Sequence, residues 1–434
     1  MVGRMERHPR VWFTSGGGSE SEWPPHVVSP GIIRGVQDIR LRKLVRYVAS
    51  RSPYYRTEFE RLNLDAKEIR GVGDISRLPL TASDVVEHSD QLLCVPYEEV
   101  DYIFTTSGTS RKQKHVSLTK GDFDRYVNLA ANAQRLQSSQ RPVVMIAQAQ
   151  GLNSGGTTGQ AIYQRAGGLV LMVGQLTPAE TFEQMERFRP SALMTSPSHM
   201  AALTRAAAEM NFDYKLETIS LDGEILTSAQ SQRFAEFWGA DVLNGYGMTE
   251  VGGIGFSLAG CDALHLNEFQ TFVEILDPAT NAPAEEGEVI ATTLVSRTIP
   301  LLRYRTGDRC RWATCKCGWR TPAIQFLERL GDRLEVAAAN LFAPRIAEAV
   351  GELQGVTGSL EVIVDHVQHV DRLTLRIGVE TPHALQTETV VDRLFALYPF
   401  LRENQRVSCF ELNIELVENM RLSPKALRVR DLRE

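Results

Sequence analysis

The chain has 434 residues, of which 43% are hydrophobic, 23% charged and 8% aromatic. This composition is typical of globular proteins, and it excludes a mostly disordered chain, a collagen-like fibre and a disulfide-stabilised miniprotein. At about 150 residues per domain, the length favours two to three domains. The 47 basic and 53 acidic residues give a net charge of −6. Because there is no positive excess to neutralise a phosphate backbone, nucleic acid is not expected as a partner.

The first 34 residues predict a flexible leader, because they combine three consecutive glycines with serines, glutamates and the pair Pro24 and Pro25. The segment has basic residues but lacks the apolar stretch of a secretory signal. No apolar run in the chain approaches the roughly 18 residues that are needed to cross a bilayer. We therefore expect a cytoplasmic protein without a membrane partner.

The next segments predict helices and strands in alternation. Residues 35–62 predict a helix that is interrupted before Pro53. Short apolar runs then predict buried strands, and helices are predicted between them at 178–188 and 198–210. The strands are expected at 143–146, 169–173, 192–194 and 241–243. This alternation indicates an α/β body with a largely parallel sheet.

Beyond residue 265 the pattern changes. Strands at 272–276 and 288–292, separated by a turn-rich segment, predict a β-hairpin. A new unit then predicts helices at 344–353 and 382–397 and strands at 359–365, 372–379 and 407–416. The expected fold class is α/β, with a large N-terminal domain of mixed sheets over residues 35–331 and a small α+β C-terminal domain over residues 332–434.

The first motif with chemical meaning is a hydroxyl-rich loop at residues 105–114, TTSGTSRKQK. Backbone N–H groups around its glycine can close on an oxyanion, and its hydroxyls and lysines supply further donors and positive charge. It is not a Walker loop, since the G-x-x-x-x-G-K-[ST] pattern is absent. The alternative is a polar loop with solvated lysines.

The second motif, NGYGMTE at residues 244–250, follows an apolar strand. Its glycines permit a ligand to approach the backbone closely. Tyr246 can stack on a base, Thr249 can donate to a phosphate and Glu250 can hold Mg²⁺. The alternative is a strand-to-helix turn with a glutamate at the start of the helix.

The third motif is RYRTGD at residues 303–308. A carboxylate just past a strand, here Asp308, suits a bidentate grip on the hydroxyls of a ribose. The alternative is an ordinary turn aspartate.

In this order, the three motifs resemble those of the adenylate-forming superfamily of acyl-CoA synthetases, peptide-synthetase adenylation domains and luciferases. Further segments are similar to the phenylacetate–CoA ligase-like branch, and the resemblance covers residues 36–432. These segments are SPYYR at 52–56, LPLT at 78–81, SPS at 196–198 and GE at 223–224. The resemblance implies a large N-terminal domain and a mobile C-terminal domain, with a hinge at Asp332.

The resemblance also implies a reaction that begins when a carboxylate attacks the α-phosphate of ATP and expels pyrophosphate. Catalysis of such a step is mostly positioning and electrostatic stabilisation. Thr249 is then expected at the α-phosphate, and Glu250 on Mg²⁺. The residues expected around the β- and γ-phosphates are Ser107, Gly108, Thr109 and Lys114.

The remaining nucleotide contacts follow from the same resemblance. Tyr246 is expected to stack on adenine, and Asp308 and Arg329 to hold the ribose. The residues expected to line the adenine slot are Gly223, Glu224, Asn244 and Gly247. Lys425 lies in a segment similar to the closing motif of the family, and it is expected to bridge the attacking carboxylate and the α-phosphate. Pro424 stands where the family usually has glycine, and it restricts the backbone there.

The six cysteines are expected to bind metal rather than to form disulfides, because three of them lie within eight residues of a large chain without an export signal. Cys315 and Cys317, with Cys261 and His265 upstream, are expected to make a tetrahedral structural Zn²⁺ site. Cys310 is a competing ligand. The alternative is a set of free, partly buried thiols.

Two departures from the family pattern bear on the second substrate and on the acid. CoA-using members have a glycine before an N-x-F segment, whereas residues 337–342 read AAANLF, so a methyl group at Ala338 is expected to narrow the pantetheine channel. Residues 150–160 are rich in Gly, Thr and Gln where the family has aromatics, which suits a small or polar acid. His199 either faces the same pocket or is a structural histidine.

The leading hypothesis is an AMP-forming ligase that uses ATP and Mg²⁺, adenylates a small aromatic or polar carboxylic acid, and transfers it to CoA or an amine. A second hypothesis is the activation of nitrite for diazotisation of an aryl amine. A third is a non-catalytic member that binds nucleotide, against which the retained Lys114, Glu250, Asp308 and Lys425 argue. A homodimer is the other partner that the resemblance allows.

Overall fold

A computed structural model describes residues 29–106, 114–135, 141–148, 154–258, 260–329, 333–379, 381, 385–418, 420 and 427–433. No helix within these residues is both long enough and apolar enough to cross a membrane.

The N-terminal part begins with helices α1 (Pro30–Arg51) and α2 (Pro53–Arg61). They are separate because Ser52 is extended and its side chain accepts a hydrogen bond from the backbone N–H of Tyr55, while Pro53 occupies the first helical position. The predicted interruption before Pro53 is confirmed. A short helix, α3 (Ser89–Leu92), leads to the antiparallel strands β1 (Tyr102–Thr105) and β2 (His115–Leu118), and helix α4 (Lys120–Arg135) follows.

The middle of the chain builds the parallel half of an 11-stranded sheet. Strands and helices alternate as predicted, and the spatial order β4-β3-β5-β6-β7 is parallel throughout. The elements are β3 (Val143–Ile146), α5 (Ser154–Arg165), β4 (Leu169–Met172), α6 (Pro178–Phe188), β5 (Ala192–Thr195), α7 (Pro197–Met210), β6 (Thr218–Asp222), α8 (Ser228–Trp238) and β7 (Asp241–Met248).

The other half of the sheet is antiparallel and has the order β10-β11-β12-β13-β9-β8-β7. The predicted hairpin is the pair β10–β11, so this prediction is confirmed. The strands are β8 (Gly252–Phe256), β9 (Leu264–Leu266), β10 (Thr271–Leu276), β11 (Glu286–Thr293), β12 (Tyr304–Ala313) and β13 (Ala323–Arg329). The sheet is therefore mixed, which agrees with the expected fold class.

Two local interpretations of the sequence are wrong. The NGYG segment is not a loop that leads into a helix: it is the second half of β7, which turns directly into β8. Asp308 does not follow a strand but lies within β12, between β11 and β13. Both segments contain glycines, which make a sequence look less like a strand. In the fold they are strands because neighbouring strands supply their backbone hydrogen-bond partners.

The C-terminal part has its own core and a four-stranded sheet of order β18-β17-β16-β19. A small hairpin, β14 (Arg333–Val336) and β15 (Ala339–Phe342), precedes it. The sequence indicated neither this hairpin nor the last strand. The other elements are α9 (Ala343–Gly351), β16 (Val356–Val367), β17 (Val370–Val379), α10 (Thr387–Leu397), α11 (Pro399–Arg406), β18 (Phe410–Glu418) and β19 (Leu427–Asp431).

The two parts touch through polar contacts. Arg205 on α7 forms an ion pair of 2.7 Å with Glu411 on β18. The backbone N–H of Ile225 donates to Glu335 at 2.9 Å, and Gln175 donates to Asn404 at 3.1 Å. These contacts hold the β14–β15 hairpin and α11 against the C-terminal ends of the parallel strands.

Candidate nucleotide site

A buried ion pair lies at the centre of the candidate site. The Lys114 ammonium is 3.3 Å from Oε1 of Glu250, and each side chain is only 6% exposed. The hydroxyl of Tyr304 is 3.2 Å from both groups, so one phenol contacts the lysine and the carboxylate. Charged side chains that are so little exposed to solvent carry a large desolvation cost. The pair is therefore more readily explained by a role in a functional site than by a gain in stability.

The position of Tyr304 depends on two residues of the SPYYR and LPLT segments. The hydroxyls of Tyr55 and Thr81 are 3.0 Å apart. Tyr55 accepts from the backbone N–H of Leu302 at 2.8 Å, and Thr81 donates to its carbonyl at 2.7 Å. Backbone hydrogen bonds from Thr81 also flank Tyr304 on both sides. Sequence reasoning used these segments only as marks of a resemblance and missed that they hold the strand beneath the site.

Tyr246 and Asp308 are brought together by the curvature of the sheet. Four strand spacings separate β7 from β12, which in a flat sheet would be about 19 Å. The Tyr246 hydroxyl nevertheless donates to Oδ2 of Asp308 at 2.8 Å. The sheet must therefore curl so that these strands face one another. Arg329 is the register partner of Asp308 on β13, so the backbone brings both expected ribose ligands to one place.

The glycines of the second motif allow two strands to approach closely. A Cβ atom on Gly247 would lie 2.8 Å from the carbonyl oxygen of Gly252, so a side chain there is excluded. Asn244 and Ser257 are joined by two hydrogen bonds of 2.7 and 2.8 Å. Thr249 and Glu250 occupy the turn between β7 and β8, which directs the motif toward Lys114.

The Gly223–Glu224 segment follows β6 and contacts the SPS segment. Glu224 accepts hydrogen bonds from the backbone N–H of Ser198 at 2.9 Å and from its hydroxyl at 2.6 Å. Burial, and then the carboxylates of Asp371 and Glu335 in the C-terminal part, raise the pKa of Glu224 to about 8. Gly223 is exposed and has φ of 82°, and a Cβ atom added to it would point into open space.

Several expected site residues lie outside the described residues. These are Ser107, Gly108 and Thr109 of the hydroxyl-rich loop, the hinge residue Asp332, and Lys425 with its neighbour Pro424. Residues 150–153 of the acid-pocket segment also lie outside them.

The structure brings together the four expected zinc ligands. The ligand atoms of Cys261, His265, Cys315 and Cys317 all lie within 4.8 Å of one another. The sulfurs of Cys261 and Cys315 are 2.8 Å apart, and Nε2 of His265 is 3.1 Å from the sulfur of Cys317. Nδ1 of His265 lies 3.2 Å from the carbonyl of Thr321, the kind of contact that leaves Nε2 free for a metal. The donor set therefore fits a tetrahedral ion.

Cys310 does not belong to this cluster. It is fully buried on β12 within the hydrophobic core, and its role as a competing ligand is wrong. Inward-facing positions alternate along a strand, so Cys310 points into the core whereas Cys315 lies beyond the end of β12.

His199 is a structural residue. Its Nδ1 lies 3.0 Å from the hydroxyl of Thr195, and its Nε2 lies 3.2 Å from the carbonyl of Leu176. Burial lowers its pKa, so the neutral imidazole is favoured. Both ring nitrogens are engaged by the protein, and the structural alternative is confirmed.

Comparisons with known proteins agree with this geometry. The family profile of AMP-binding enzymes matches residues 56–294. The phenylacetate-coenzyme A ligase of Thermus thermophilus is 29% identical over 368 residues, which cover 81% of this chain and 82% of the ligase. An amide bond synthetase from Marinactinospora thermotolerans has 18% identity and a TM-score of 0.58 over 76% of this chain and 68% of the synthetase.

The likeness to one solved ligase depends on its state. The 2-hydroxyisobutyryl-CoA ligase in its thioesterification state has a TM-score of 0.82 at 21% identity, covering 99% of this chain and 95% of the ligase. The same ligase in a postadenylation state reaches 0.67 over 98% and 95% of the two chains. The chain belongs to the family of AMP-binding enzymes, and it is an AMP-forming ligase of the phenylacetate–CoA ligase-like branch of the adenylate-forming superfamily.

Proposed function

We propose that this ligase adenylates a small aromatic or polar carboxylic acid and transfers the acyl group to CoA or to an amine. The observation that supports this most strongly is the convergence of Lys114, Glu250 and Tyr304 beside the Tyr246–Asp308 pair. A buried cation, a buried carboxylate and a second carboxylate with a phenol partner are the groups that a magnesium-bound nucleotide requires.

In the proposed reaction, a carboxylate oxygen of the acid forms a bond to the α-phosphorus, and the bond to the pyrophosphate oxygen breaks. Lys114 neutralises charge on the phosphates together with the loop residues Ser107, Gly108 and Thr109. Thr249 donates to the α-phosphate. Glu250, now paired with Lys114, is the residue that would hold Mg²⁺. Lys425 bridges the acid and the α-phosphate.

The nucleoside is proposed to lie between β7 and the Gly223–Glu224 segment. Tyr246 packs on adenine beside Gly223, Glu224, Asn244 and Gly247. Asp308 and Arg329, register partners on neighbouring strands, take the ribose hydroxyls. The Tyr246 hydroxyl fixes the carboxylate of Asp308 in the absence of nucleotide, which reduces the ordering that binding requires.

The acceptor is proposed to enter along the β14–β15 turn. Ala337 and Ala338 form this turn with φ of 48° and 61°, a conformation that normally selects glycine or asparagine. The Ala338 methyl group narrows the path on which pantetheine passes in related enzymes. This supports an amine as the alternative to CoA.

The four-ligand cluster is proposed to hold a structural Zn²⁺. It ties the segment after β8 to the segment after β12, which no disulfide joins. None of its members contacts the Lys114–Glu250 pair, so its contribution is to stability rather than to chemistry.

A pyrophosphate-release screen tests the proposal. Purified enzyme with ATP and Mg²⁺ is offered carboxylic acids and, separately, nitrite, each with and without CoA and amines. Acid-dependent release, with AMP and an acyl product, is the expected result. Release that requires nitrite and an aryl amine would move the assignment to diazotisation. No release under any condition, together with retained ATP binding, would support the non-catalytic alternative.

A further inference from the structure

Asp222 is a half-buried carboxylate that the proposed nucleotide contacts do not use. It is the last residue of β6, directly before the Gly223–Glu224 segment. Its register partner on β7 is Gly245, which precedes Tyr246. In sheets of parallel strands, ligands bind beyond the carboxyl ends of the strands, and Asp222 stands at such an end.

One polar side chain contacts this carboxylate, and further polar and aromatic side chains lie near it. Gln148, just past the end of β3, donates a hydrogen bond to Oδ1 of Asp222. Tyr163 on α5 and Ser220 on β6 are joined hydroxyl to hydroxyl at 2.6 Å. The ring of Tyr126 on α4 lies against Gly252 and Gly253, where an added Cβ would be 3.3 to 3.4 Å from ring carbons.

Asp222 has no cationic partner among the described residues. Within the described part of the chain, no lysine, arginine or histidine forms an ion pair with it, and Gln148 is the one hydrogen-bond donor to it. Burial raises its pKa to about 6. One amide hydrogen bond does not offset the desolvation of a carboxylate. The side chain also keeps part of its surface accessible, as expected for the wall of a pocket.

Helix α5, which carries Tyr163, packs very close to the sheet. A Cβ atom on Gly159 of α5 would lie 2.5 Å from the sulfur of Met194 on β5. Ile146 on β3 contacts the same position. α5 therefore packs closely against β3 and β5, and the Tyr163–Ser220 hydrogen bond joins it to β6, the strand that ends at Asp222.

We infer that the acid which this ligase activates carries an amino group, and that Asp222 binds this group. The inference rests on the proposed function, and it assigns one side chain to the recognition of the substrate. An amine supplies the donors and, when protonated, the positive charge that Asp222 lacks among the described residues. The carboxyl end of the same substrate would then face the nucleotide motif on β7. This motif includes Tyr246, the residue after Gly245, which is the register partner of Asp222.

The test uses matched acids that differ only in the amine. Benzoate is compared with 3- and 4-aminobenzoate, and 3-phenylpropanoate with phenylalanine, by pyrophosphate release. With wild-type enzyme, kcat/KM is expected to be about 10- to 100-fold higher for an amino-bearing acid than for its partner, the range of one hydrogen bond to a charged group. Equal or lower values for every amino-bearing acid would overturn the inference.

Asp222→Asn keeps the shape of the side chain and removes its charge. It is expected to bring the ratio of kcat/KM between the amino-bearing acid and its unsubstituted partner close to 1. Glu268→Gln is the matched control, since Glu268 is another carboxylate whose burial raises its pKa, to about 7, and whose partner is also a glutamine, Gln37. Equal losses on both acids in Asp222→Asn would indicate a structural role.

The two proposals fail in different ways. If no acid gives pyrophosphate with wild-type enzyme, the proposed ligase reaction fails. If unsubstituted acids react well and the amine brings no advantage, the ligase reaction stands and the role of Asp222 is overturned. Because the wild-type comparison does not depend on any variant, a fold defect in Asp222→Asn cannot obscure the result.

Discussion

The ammonium of Lys114 and the carboxylate of Glu250 lie 3.3 Å apart in a nearly solvent-free setting, although 136 residues separate them in the chain. β2 follows Lys114 directly, and Glu250 lies in the turn between β7 and β8, so two separate hairpins meet here. Each charge compensates the other while no nucleotide is present. When nucleotide binds, Mg²⁺ can take the place of the Lys114 ammonium beside Glu250, and a phosphate can take the place of the Glu250 carboxylate beside Lys114. This exchange is a physical reason for burying the pair at a phosphate site.

Removing either member of the pair is expected to affect both stability and chemistry. Lys114→Met or Glu250→Gln should lower kcat/KM for adenylation by about 100-fold or more. Breaking a buried ion pair also leaves one charge buried without a partner. For Lys114→Met, this should lower the free energy of unfolding by about 3 to 5 kcal/mol. Pyrophosphate release and chemical unfolding measure the two effects separately.

The double variant Lys114→Met with Glu250→Leu separates the two effects. Unfolding stability should recover most of the loss, because no charge remains buried, whereas adenylation should stay at the level of the single variants. Lys120→Met removes a lysine from the exposed pair with Asp124 and serves as the control. Recovery of activity in the double variant would contradict a role in phosphate binding.

The Tyr246–Asp308 contact gives a prediction about ribose. Asp308→Asn should weaken ATP binding and should reduce the preference for ATP over 2′-deoxyATP, because the hydroxyls would no longer meet a carboxylate. Tyr246→Phe should raise the KM for ATP by about tenfold through loss of one charged hydrogen bond, and leave most of kcat. An unchanged ATP to 2′-deoxyATP ratio in Asp308→Asn would show that another residue reads the ribose.

The strands and helices of the parallel half were predictable because their signals are local. The runs at 143–146 and 178–188 match β3 and α6 residue for residue. Apolar runs bounded by turns need no knowledge of distant residues. The Pro53 break was equally readable, since proline and its serine cap act within one turn.

What the sequence did not predict depends on distant partners. The curl that brings Tyr246 to Asp308 builds up from the twist between the five neighbouring strands from β7 to β12, and no short segment encodes it. The Tyr55–Thr81 support of Tyr304 joins residues more than 200 positions apart. Asp222 was missed for the same reason. A single aspartate before a glycine does not indicate which tyrosines the fold brings near it.

The cysteine cluster predicts a metal content that can be measured directly. We expect one zinc per chain by elemental analysis of the purified protein, with most of it lost in Cys261→Ser and Cys315→Ser. Chelation should lower the thermal midpoint of wild-type protein and have little effect on these variants. Cys310→Ala is the control: it should keep its zinc while losing core packing. Full zinc content in Cys315→Ser would contradict the ligand set.

A pH dependence follows from Glu224. Its pKa is raised to about 8 in this arrangement by burial and by Asp371 and Glu335. The ordinary pKa of a glutamate is near 4.5. Between about pH 4.5 and 8, Glu224 is therefore protonated in the folded protein and ionised in the unfolded chain. Stability from this group is therefore complete below about pH 4.5 and declines as the pH rises toward 8.

Two other groups near Glu224, Cys409 and Asp371, change little in that window. Burial raises the pKa of the Cys409 thiol well above its usual value. Although burial opposes it, contacts with His366 and Arg433 keep the pKa of Asp371 below its ordinary value, so Asp371 stays ionised from pH 5 to 8. The thermal midpoint of the wild type should fall between pH 6 and 8.5 more steeply than that of Glu224→Gln. Parallel curves for the two proteins would contradict this account.

The turn between β14 and β15 gives the last prediction. Ala338 has φ of 61°, where a Cβ atom costs roughly 1 to 2 kcal/mol, and Ala337 beside it is held by a hydrogen bond of 3.0 Å from its N–H to Asp371. Ala338→Gly should therefore stabilise the protein by about 1 kcal/mol in chemical unfolding. The same replacement at Ala347, inside α9, should destabilise the protein by a similar amount, because glycine is unfavourable in a helix.

If CoA is the acceptor, removal of the Ala338 methyl group should also lower the KM for CoA and leave the KM for ATP unchanged. A loss of stability in Ala338→Gly would show that the turn is not strained, and an unchanged KM for CoA would argue that pantetheine does not pass this turn.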